Sequence, residues 1–164
     1  MYIFGGDDDD DVDVDVDEPG SMTTYNMATR NVDEVAAPPH ILHYCTGMAC
    51  GGLVYSLGGY GVALQQRVDS VHAYNPDIDS WVGGPTLPMA MAGVAAAEHM
   101  GCIFVCSGWL GRAAPLSGSL LMLDPRTRAW TSLPTMPTTG GSVLAGRMSV
   151  PGGGRGEVLP CSAM

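Results

Sequence analysis

Basic residues are scarce in this sequence: its 164 residues include seven Lys and Arg against 17 Asp and Glu, a formal net charge of −10. Such a chain repels phosphate groups, so we expect no nucleic-acid partner. A helical stripe of apolar residues is also missing. The apolar windows are short and are interrupted by Gly and Pro, so we expect no membrane-spanning segment.

Signals for secretion are missing as well. Met1 to Phe4 leads directly into acidic residues, without the basic start and long apolar segment of a signal peptide. The five cysteines are odd in number and lack the spacing of a disulfide framework. These two absences predict a cytoplasmic, or alternatively nuclear, protein.

Patterns that carry catalysis or bind metal are scarce too. Only His40 and His43 of the four histidines are close in sequence, and no third ligand is indicated. The glycine-rich stretch at 152–156 lacks the Lys-Ser/Thr of a phosphate-binding loop. No serine occupies a nucleophile elbow. We therefore expect no enzyme activity, no cofactor and no bound metal.

Glycine and proline are abundant, by contrast, at 23 and 12 residues, and apolar residues make up 46% of the chain. This composition is typical of many short strands separated by turns. A length of 164 residues is sufficient for one domain with its own core. The sequence therefore predicts a single all-β domain.

Glycine pairs end several of the apolar runs and recur along the chain. The pairs begin at positions 5, 58, 107 and 152, with Ser107 in place of the first glycine of the third pair. These positions are nearly evenly spaced, at a period close to that of propeller repeats, which indicates an internal repeat of propeller type. The glycines concerned are Gly5, Gly6, Gly58, Gly59, Gly108, Gly152 and Gly153.

Two further marks follow the glycine pairs in fixed order: a corner in the first three copies and a tryptophan in the second and third. A corner begins at Tyr25, at Tyr74 and, as Leu-Asp-Pro, at position 123. A tryptophan follows seven residues later in two copies, at Trp81 and Trp130, whereas the first copy has Val32. Three marks at matched spacing define a repeat far more specifically than any one of them.

This pattern resembles the kelch repeat, in which a strand ends in Gly-Gly and is followed by a Tyr-Asp-Pro-like corner and a tryptophan. The resemblance implies a β-propeller built from four-stranded antiparallel blades. The chain then carries about three blades within residues 1–153, an incomplete ring, and a tail at 154–164. In such blades the glycines permit close approach of backbones, and the aromatic residues pack between neighbouring blades.

Strand positions follow from the same marks. Ile41 to Thr46 is predicted as the first strand of the second blade, paired through a Gly-rich turn with Leu53 to Leu57. Ala92 to Ala97, a run of small residues, is predicted as the first strand of the third blade. Val143 to Ala145 and Met148 to Val150 begin a further unit.

An acidic insertion at 7–20 interrupts the first repeat. The stretch from the glycine pair to the corner is longer in this copy than in the next two, which match each other in length. Like charges in a block repel one another, so Asp7 to Glu18 is predicted to be a disordered loop. Two alternatives are a docking site for a basic partner and a cation site at Asp13, Asp15 and Asp17. The glycine and distal glutamate of an EF-hand are not at their required positions.

For function, the resemblance implies a non-catalytic module for protein–protein interaction. Many kelch propellers serve as substrate receptors of ubiquitin ligases or as scaffolds, with a BTB or F-box domain that this sequence does not contain. Arg67 and Arg112 lie in inter-strand loops of the better repeats, and we predict that they contact a protein partner.

Two other functions are compatible with the repeats. The chain can be a structural segment of a larger propeller, in which case blade faces rather than loops make the contacts, through self-association or further blades. A copper oxidase of the galactose oxidase type is the second alternative. It requires Tyr, Cys and His ligands that cannot be placed in this sequence.

Overall fold

A computed structural model describes residues 1–4, 22–40, 42–61, 63–106, 108–110 and 118–135. Every regular element in this part of the chain is a β-strand, and no helix there is long and apolar enough to cross a membrane. The strands, in chain order, are β1 (Tyr2–Phe4), β2 (Met22–Tyr25), β3 (Val32–Glu34), β4 (Leu42–His43), β5 (Thr46–Cys50), β6 (Leu53–Leu57), β7 (Tyr60–Gly61), β8 (Gln66–Arg67), β9 (Val71–Asn75), β10 (Ser80–Gly83), β11 (Ala95–His99), β12 (Cys102–Cys106), β13 (Leu120–Asp124) and β14 (Ala129–Leu133).

Three antiparallel sheets repeat along the chain, and we call them blades 1 to 3. Blade 1 has three described strands in the order β1-β2-β3. Blade 2 has four, β5-β6-β9-β10, and blade 3 has four, β11-β12-β13-β14. The predicted fold class is confirmed: the protein is all-β and is built from antiparallel propeller blades.

The predicted corner forms the same turn in every blade. Side-chain oxygens of Asn26, Asn75 and Asp124, at equivalent positions of the three repeats, each accept a hydrogen bond from the amide two residues on, at 2.9 to 3.0 Å. An Asx turn of this kind replaces the main-chain bonds that a strand loses when it reverses. The corners of the folded chain therefore repeat with one constant period.

A second recurring geometry closes each of these turns. The residue four positions after the Asx side chain has a left-handed φ, which is 60° at Arg30, 46° at Asp79 and 58° at Arg128. None of the three is glycine. The hydrogen bonds made just around each turn hold this conformation.

The larger hydrophobic core lies between blades 2 and 3. Blade 2 contributes alternate residues of β6 and β9, and blade 3 contributes alternate residues of β12 and β13, because alternate side chains share a face of a strand. The buried side chains of this core are Cys50, Tyr55, Leu57, Val71, Ala73, Leu87, Met91, Val94, Ala96, Ile103, Val105, Leu121 and Leu123.

A smaller core lies between blades 1 and 2. Its buried members are Met22, Val54 and Tyr74, with Val35, Ala36 and Trp81 packed against them. Tyr2 adds an edge-on ring contact to Tyr74, with centroids 5.7 Å apart. Both cores bury the inward faces of neighbouring sheets, which is how propeller blades stack.

The predicted first strand of blade 2 was wrong by about four residues. The strand that pairs with Leu53–Leu57 is Thr46–Cys50, not Ile41 to Thr46. The reason lies in the turn: Gly51 and Gly52 have φ of 59° and 83°, so they form a two-residue hairpin turn and fix the register. The first strand of blade 3 is likewise displaced, to Ala95–His99.

Glycine is required where β6 leaves blade 2. Gly59 has a φ of 122°, and a Cβ there would lie 3.0 Å from the carbonyl oxygen of His43. Gly108, its equivalent in blade 3, has a φ of 132°, and its Cβ would lie 2.9 Å from Val94. Both positions therefore need a residue without a side chain. The pairs at 5–6 and 152–153 lie outside the described residues.

Candidate functional site

One end of the blades carries the connections between strands β6 and β9 and between one blade and the next. Thr46, Leu57 and Val71 lie opposite one another in register at this end of blade 2. The described residues of 35–45, 58–70, 84–94 and 108–110 extend beyond it, and we call this surface the loop face. The tight turns of the blades lie at the other end.

A separate sheet of three short strands lies on the loop face of blade 2. Its order is β4-β7-β8, so the connection from blade 1 pairs with a hairpin of the 58–70 loop. Arg67 lies opposite Tyr60, and Tyr60 lies opposite His43. The sequence did not predict this sheet, because its strands have only two residues each.

Main-chain hydrogen bonds fix the loop to the following connection. The Gly59 amide donates to Met91 at 2.8 Å, the Val68 amide donates to Gly59 at 2.9 Å, and the Leu87 amide donates to Asp69 at 2.8 Å. A loop bonded in this way holds its side chains in fixed positions, and binding then loses less conformational entropy.

Arg67 is the predicted contact residue that the structure describes. Its side chain is half-buried, and its Nε atom is buried without a hydrogen-bond acceptor in the structure. A guanidinium carries five donors in a planar fork and stays charged at all physiological pH values. Because Nε is closed to solvent, a partner carboxylate can reach only the part of the Arg67 side chain that remains exposed. Arg112, the other predicted contact, lies outside the described residues.

The remaining described arginines lie at the opposite end of the blades. Arg30, Arg126 and Arg128 are all in the turns between the third and fourth strands. Asp124 accepts two hydrogen bonds from the Arg126 guanidinium, which with the Arg126 amide hold its pKa below the ordinary range. Among the described residues, Arg67 is thus the one arginine of the loop face.

Two aromatic side chains are exposed on the loop face. Tyr44 is 70% exposed and Trp109 is 49% exposed. The Tyr44 carbonyl accepts a hydrogen bond from Gly93 at 2.8 Å, and Trp109 exchanges two hydrogen bonds with Ala92, the shorter at 2.7 Å. The backbones of both aromatic residues are therefore held by two neighbouring residues, Ala92 and Gly93. Neither Tyr44 nor Trp109 was predicted as a site residue. The signal for Trp109 was its alignment with Tyr60, since each directly follows the glycine mark of its repeat.

His40 and His43, the two histidines that are close in sequence, contact different rings. His40 lies beside His72, with ring centroids 5.6 Å apart, whereas His43 lies beside Tyr44. Burial lowers the pKa of His72, and the charge of His40 lowers it further. No group of three His, Cys, Asp or Glu side chains that could hold a metal occurs in the described part of the chain.

Each repeat-mark tryptophan donates a hydrogen bond to the connection that follows the preceding blade. Trp81 Nε1 donates to the Ala36 carbonyl at 2.8 Å, and Trp130 Nε1 donates to the Pro85 carbonyl at 3.0 Å. Donor and acceptor are equally far apart in sequence in both cases. At the corner, Tyr74 is buried and Tyr25 is half-buried. These contacts give the marks a role in joining blades.

Four-stranded antiparallel sheets that stack face to face and bond through equivalent tryptophans define a β-propeller-blade protein. A family model described as "Kelch motif" matches residues 42–88 and 90–137, more than half of the chain. The chain belongs to the kelch-repeat family.

Known proteins with similar sequences carry kelch names. The chain is 30% identical to "Kelch repeat and BTB domain-containing protein 12" of Danio rerio, a match that covers 80% of this chain and 24% of that protein. It is 37% identical to "Kelch-like protein 33" of Homo sapiens, with 77% and 22% covered. The chain therefore spans about a quarter of the length of these relatives.

A solved structure supports the fold. "Structure of YjhT" has a TM-score of 0.62 and 22% sequence identity, and the match covers 73% of this chain and 46% of that one. This likeness concerns the fold alone.

Proposed function

We propose that the chain is a non-catalytic protein-binding module whose loop face binds an acidic segment of another protein. The observation that carries the proposal is the half-buried Arg67, the one arginine of the described loop face, on a surface with two exposed aromatic residues. A carboxylate satisfies the guanidinium, and an apolar neighbour in the same segment covers the rings.

The distribution of charge favours binding of an acidic segment at the loop face. The chain is acidic as a whole, with a net charge of −10, so an acidic segment is repelled from most of the surface. His40 and His43 also lie in the described part of the loop face. Complementarity of this kind fixes the register of a complex more than its affinity.

Matched substitutions in a peptide-binding assay test the proposal. We expect Arg67→Ala to weaken binding of the best acidic peptide from a random library by at least about tenfold, because the charge-assisted bond is lost. Arg67→Lys keeps the charge but not the fork and should be intermediate. Arg30→Ala, at the other end of the blades, is the control. Equal binding by all three variants would contradict the proposal.

The names of similar proteins support a more specific function. We propose that a longer polypeptide containing these blades serves in the cytoplasm or nucleus as the substrate-recognition part of a ubiquitin-ligase adaptor, or as a scaffold. The BTB domain in the name of one relative supports the adaptor. Expression of the longer polypeptide should raise ubiquitination of the bound partner, and Arg67→Ala should abolish the rise. A partner that is bound but never ubiquitinated indicates the scaffold.

A further inference from the structure

An open position lies between the two exposed aromatic residues of the loop face. Gly93 is exposed and has a φ of 62°, and no described atom lies within 4 Å of the place where a Cβ would stand. Its neighbour Ala92 is buried, so the Ala92 side chain points into the protein. Gly93 therefore forms the floor of a gap that is open to solvent.

The peptide bond between Ala92 and Gly93 places the two aromatic residues on opposite sides of this gap. Its carbonyl accepts a hydrogen bond from the Trp109 amide at 2.7 Å, and its N–H donates to the Tyr44 carbonyl at 2.8 Å. No cis bond occurs in the described part of the chain, and the carbonyl and N–H of a trans peptide point in opposite directions. We call the gap flanked by Tyr44 and Trp109, with Gly93 as its floor, the aromatic slot.

The width of the aromatic slot suits a single side chain. Neighbouring backbones joined by such hydrogen bonds lie about 4.8 Å apart, so the backbones of Tyr44 and Trp109 are about 10 Å apart. Tyr44 is 70% exposed and Trp109 is 49% exposed. Both rings therefore keep apolar surface that a bound side chain can cover.

The residues around the aromatic slot favour an apolar occupant. The segments 42–45, 89–94 and 108–110 contain no Asp, Glu, Lys or Arg. A cationic side chain would find aromatic rings there but no carboxylate, and a carboxylate would find no Lys or Arg. An apolar side chain loses no hydrogen bonds to water when it enters, and it gains contact with two rings.

Arg67 lies two strands away from the residue that precedes Tyr44. Arg67 is opposite Tyr60, and Tyr60 is opposite His43, so these three side chains share one face of the sheet β4-β7-β8. Two strand spacings make about 10 Å from Arg67 to His43. The aromatic slot begins at the next residue, so it lies about 10–15 Å from Arg67. Three to five residues of extended chain span that distance.

We propose that the aromatic slot binds an apolar side chain of the partner segment, three to five residues from the acidic residue that contacts Arg67. The slot acts together with Arg67, so this inference rests on the function proposed above. The segment then crosses the loop face from blade 2 towards blade 3, because Trp109 follows β12. The acidic residue fixes the position of the segment, and the apolar residue supplies buried area.

Filling the aromatic slot from its floor is the first test. Gly93→Asn places a side chain in the gap, and Asn tolerates a left-handed φ better than most residues. The probe is the best acidic peptide from the random library, labelled for fluorescence anisotropy. We expect Gly93→Asn to weaken its binding by about tenfold or more, because the apolar side chain is excluded.

Gly51→Asn is the matched control for that substitution. Gly51 has a φ of 59°, and nothing lies within 4 Å of its Cβ position, so the backbone and the free space are comparable. Gly51 lies in the hairpin turn between β5 and β6, at the other end of the blades. Gly51→Asn should therefore leave the affinity for the peptide unchanged.

Changes in the peptide identify the side chain that enters the aromatic slot. Ala in place of the apolar residue three to five positions from the acid should weaken binding by about tenfold. Gly93→Asn should then have little further effect. Trp109→Ala should behave as Gly93→Asn does, and it leaves the Gly93 backbone unchanged. Arg67→Ala should add its full loss to either variant, because the two contacts are separate.

Equal affinity of the Gly93→Asn and Gly51→Asn proteins for the peptide would overturn the proposal. Tighter binding of a peptide with Lys or Arg at the apolar position would also overturn it, because the slot would then be a cation site. The function proposed above fails separately. If Arg67→Ala weakens binding and Gly93→Asn does not, only the slot is wrong. If Gly93→Asn weakens binding and Arg67→Ala does not, only the carboxylate contact is wrong.

Discussion

The two interfaces between blades are built from the same repeat yet differ in extent. Among the side chains that the structure describes, thirteen are buried in the core between blades 2 and 3 and three in the core between blades 1 and 2. Both are joined by an indole bond from the fourth strand to the connection before it. The difference lies at the inner edge, where β5 and β11 pack together and β1 has no described inner neighbour.

The turns beside the two indole bonds differ in charge. Asp79 accepts a hydrogen bond from the Ala36 amide at 2.8 Å, and Arg128, in the equivalent turn, donates to the Gly83 carbonyl at 3.1 Å. Each side chain bonds to the main chain of the preceding blade or its connection. Because main chain offers both a donor and an acceptor, opposite charges perform the same task.

The largest expected effect comes from truncating a buried side chain, and its extent should differ between the two cores. Leu123→Ala should lower the free energy of unfolding by about 2–5 kcal/mol, because a fully buried side chain is removed between blades 2 and 3. Met22→Ala should instead release blade 1 alone. Hydrogen exchange measures both: Leu123→Ala should speed exchange in β6 and β12, and Met22→Ala in β2 only. Uniform acceleration by both variants would mean that the cores are one cooperative unit.

A glycine substitution tests how closely the backbones approach at the larger interface. Gly58 has a φ of 56°, and a Cβ there would lie 2.4 Å from the Met91 carbonyl oxygen. Gly58→Ala should therefore cost roughly 1–3 kcal/mol in thermal or denaturant unfolding. Gly83→Ala is the control, since nothing lies within 4 Å of that site. Equal effects would show that the connection at Met91 can move aside.

The indole bonds allow a matched comparison of the two interfaces. Trp81→Phe and Trp130→Phe should each cost about 1 kcal/mol, the net value of one hydrogen bond. Exchange of the β2 amides should increase only in Trp81→Phe, because that bond holds blade 1. An increase in both variants would mean that the stability of blade 1 depends on both interfaces between blades.

The smallest expected effect is a loss of stability at the interface between blades 1 and 2 as the pH falls. Hydrogen bonds from the Ala36 amide and the Tyr74 hydroxyl lower the pKa of Asp79. Its contribution is therefore present above the unfolded pKa and is lost as the pH falls through the lowered folded value. The NMR shift of the Ala36 amide should follow this titration, and Asp79→Asn should remove it. The bond of Arg128 should not change over the same range.

Much of the fold could be predicted because repeat marks are local. Gly-Gly, the corner and tryptophan each depend on a few residues, and the predicted strand Leu53 to Leu57, which ends at a glycine pair, has the observed bounds. The displaced strand at Ile41 to Thr46 shows where such reasoning stops. Apolar residues at 41–44 resemble a strand, but register is fixed by the turn at Gly51 and Gly52, which no periodicity in the strand reveals.

The candidate site was less accessible from sequence than the fold. Arg67 was predicted to lie in an inter-strand loop, whereas it lies in the two-residue strand β8 within the connection between β6 and β9. Its contact with a partner stays a prediction. Tyr44 and Trp109 were missed because exposed aromatics follow no hydrophobic period. The position of Trp109 becomes visible only when the second and third repeats are aligned, which pairs it with Tyr60.

The direction of the indole bonds has a consequence for synthesis of the protein. Each donor lies downstream of its acceptor in the chain. When a new tryptophan leaves the ribosome, the carbonyl it bonds to has already been made and lies in the connection that follows the preceding blade. Each blade can dock as it emerges, without waiting for later sequence. Assembly is thus vectorial, and a pause in translation between blades leaves a docked arc instead of an unfolded chain.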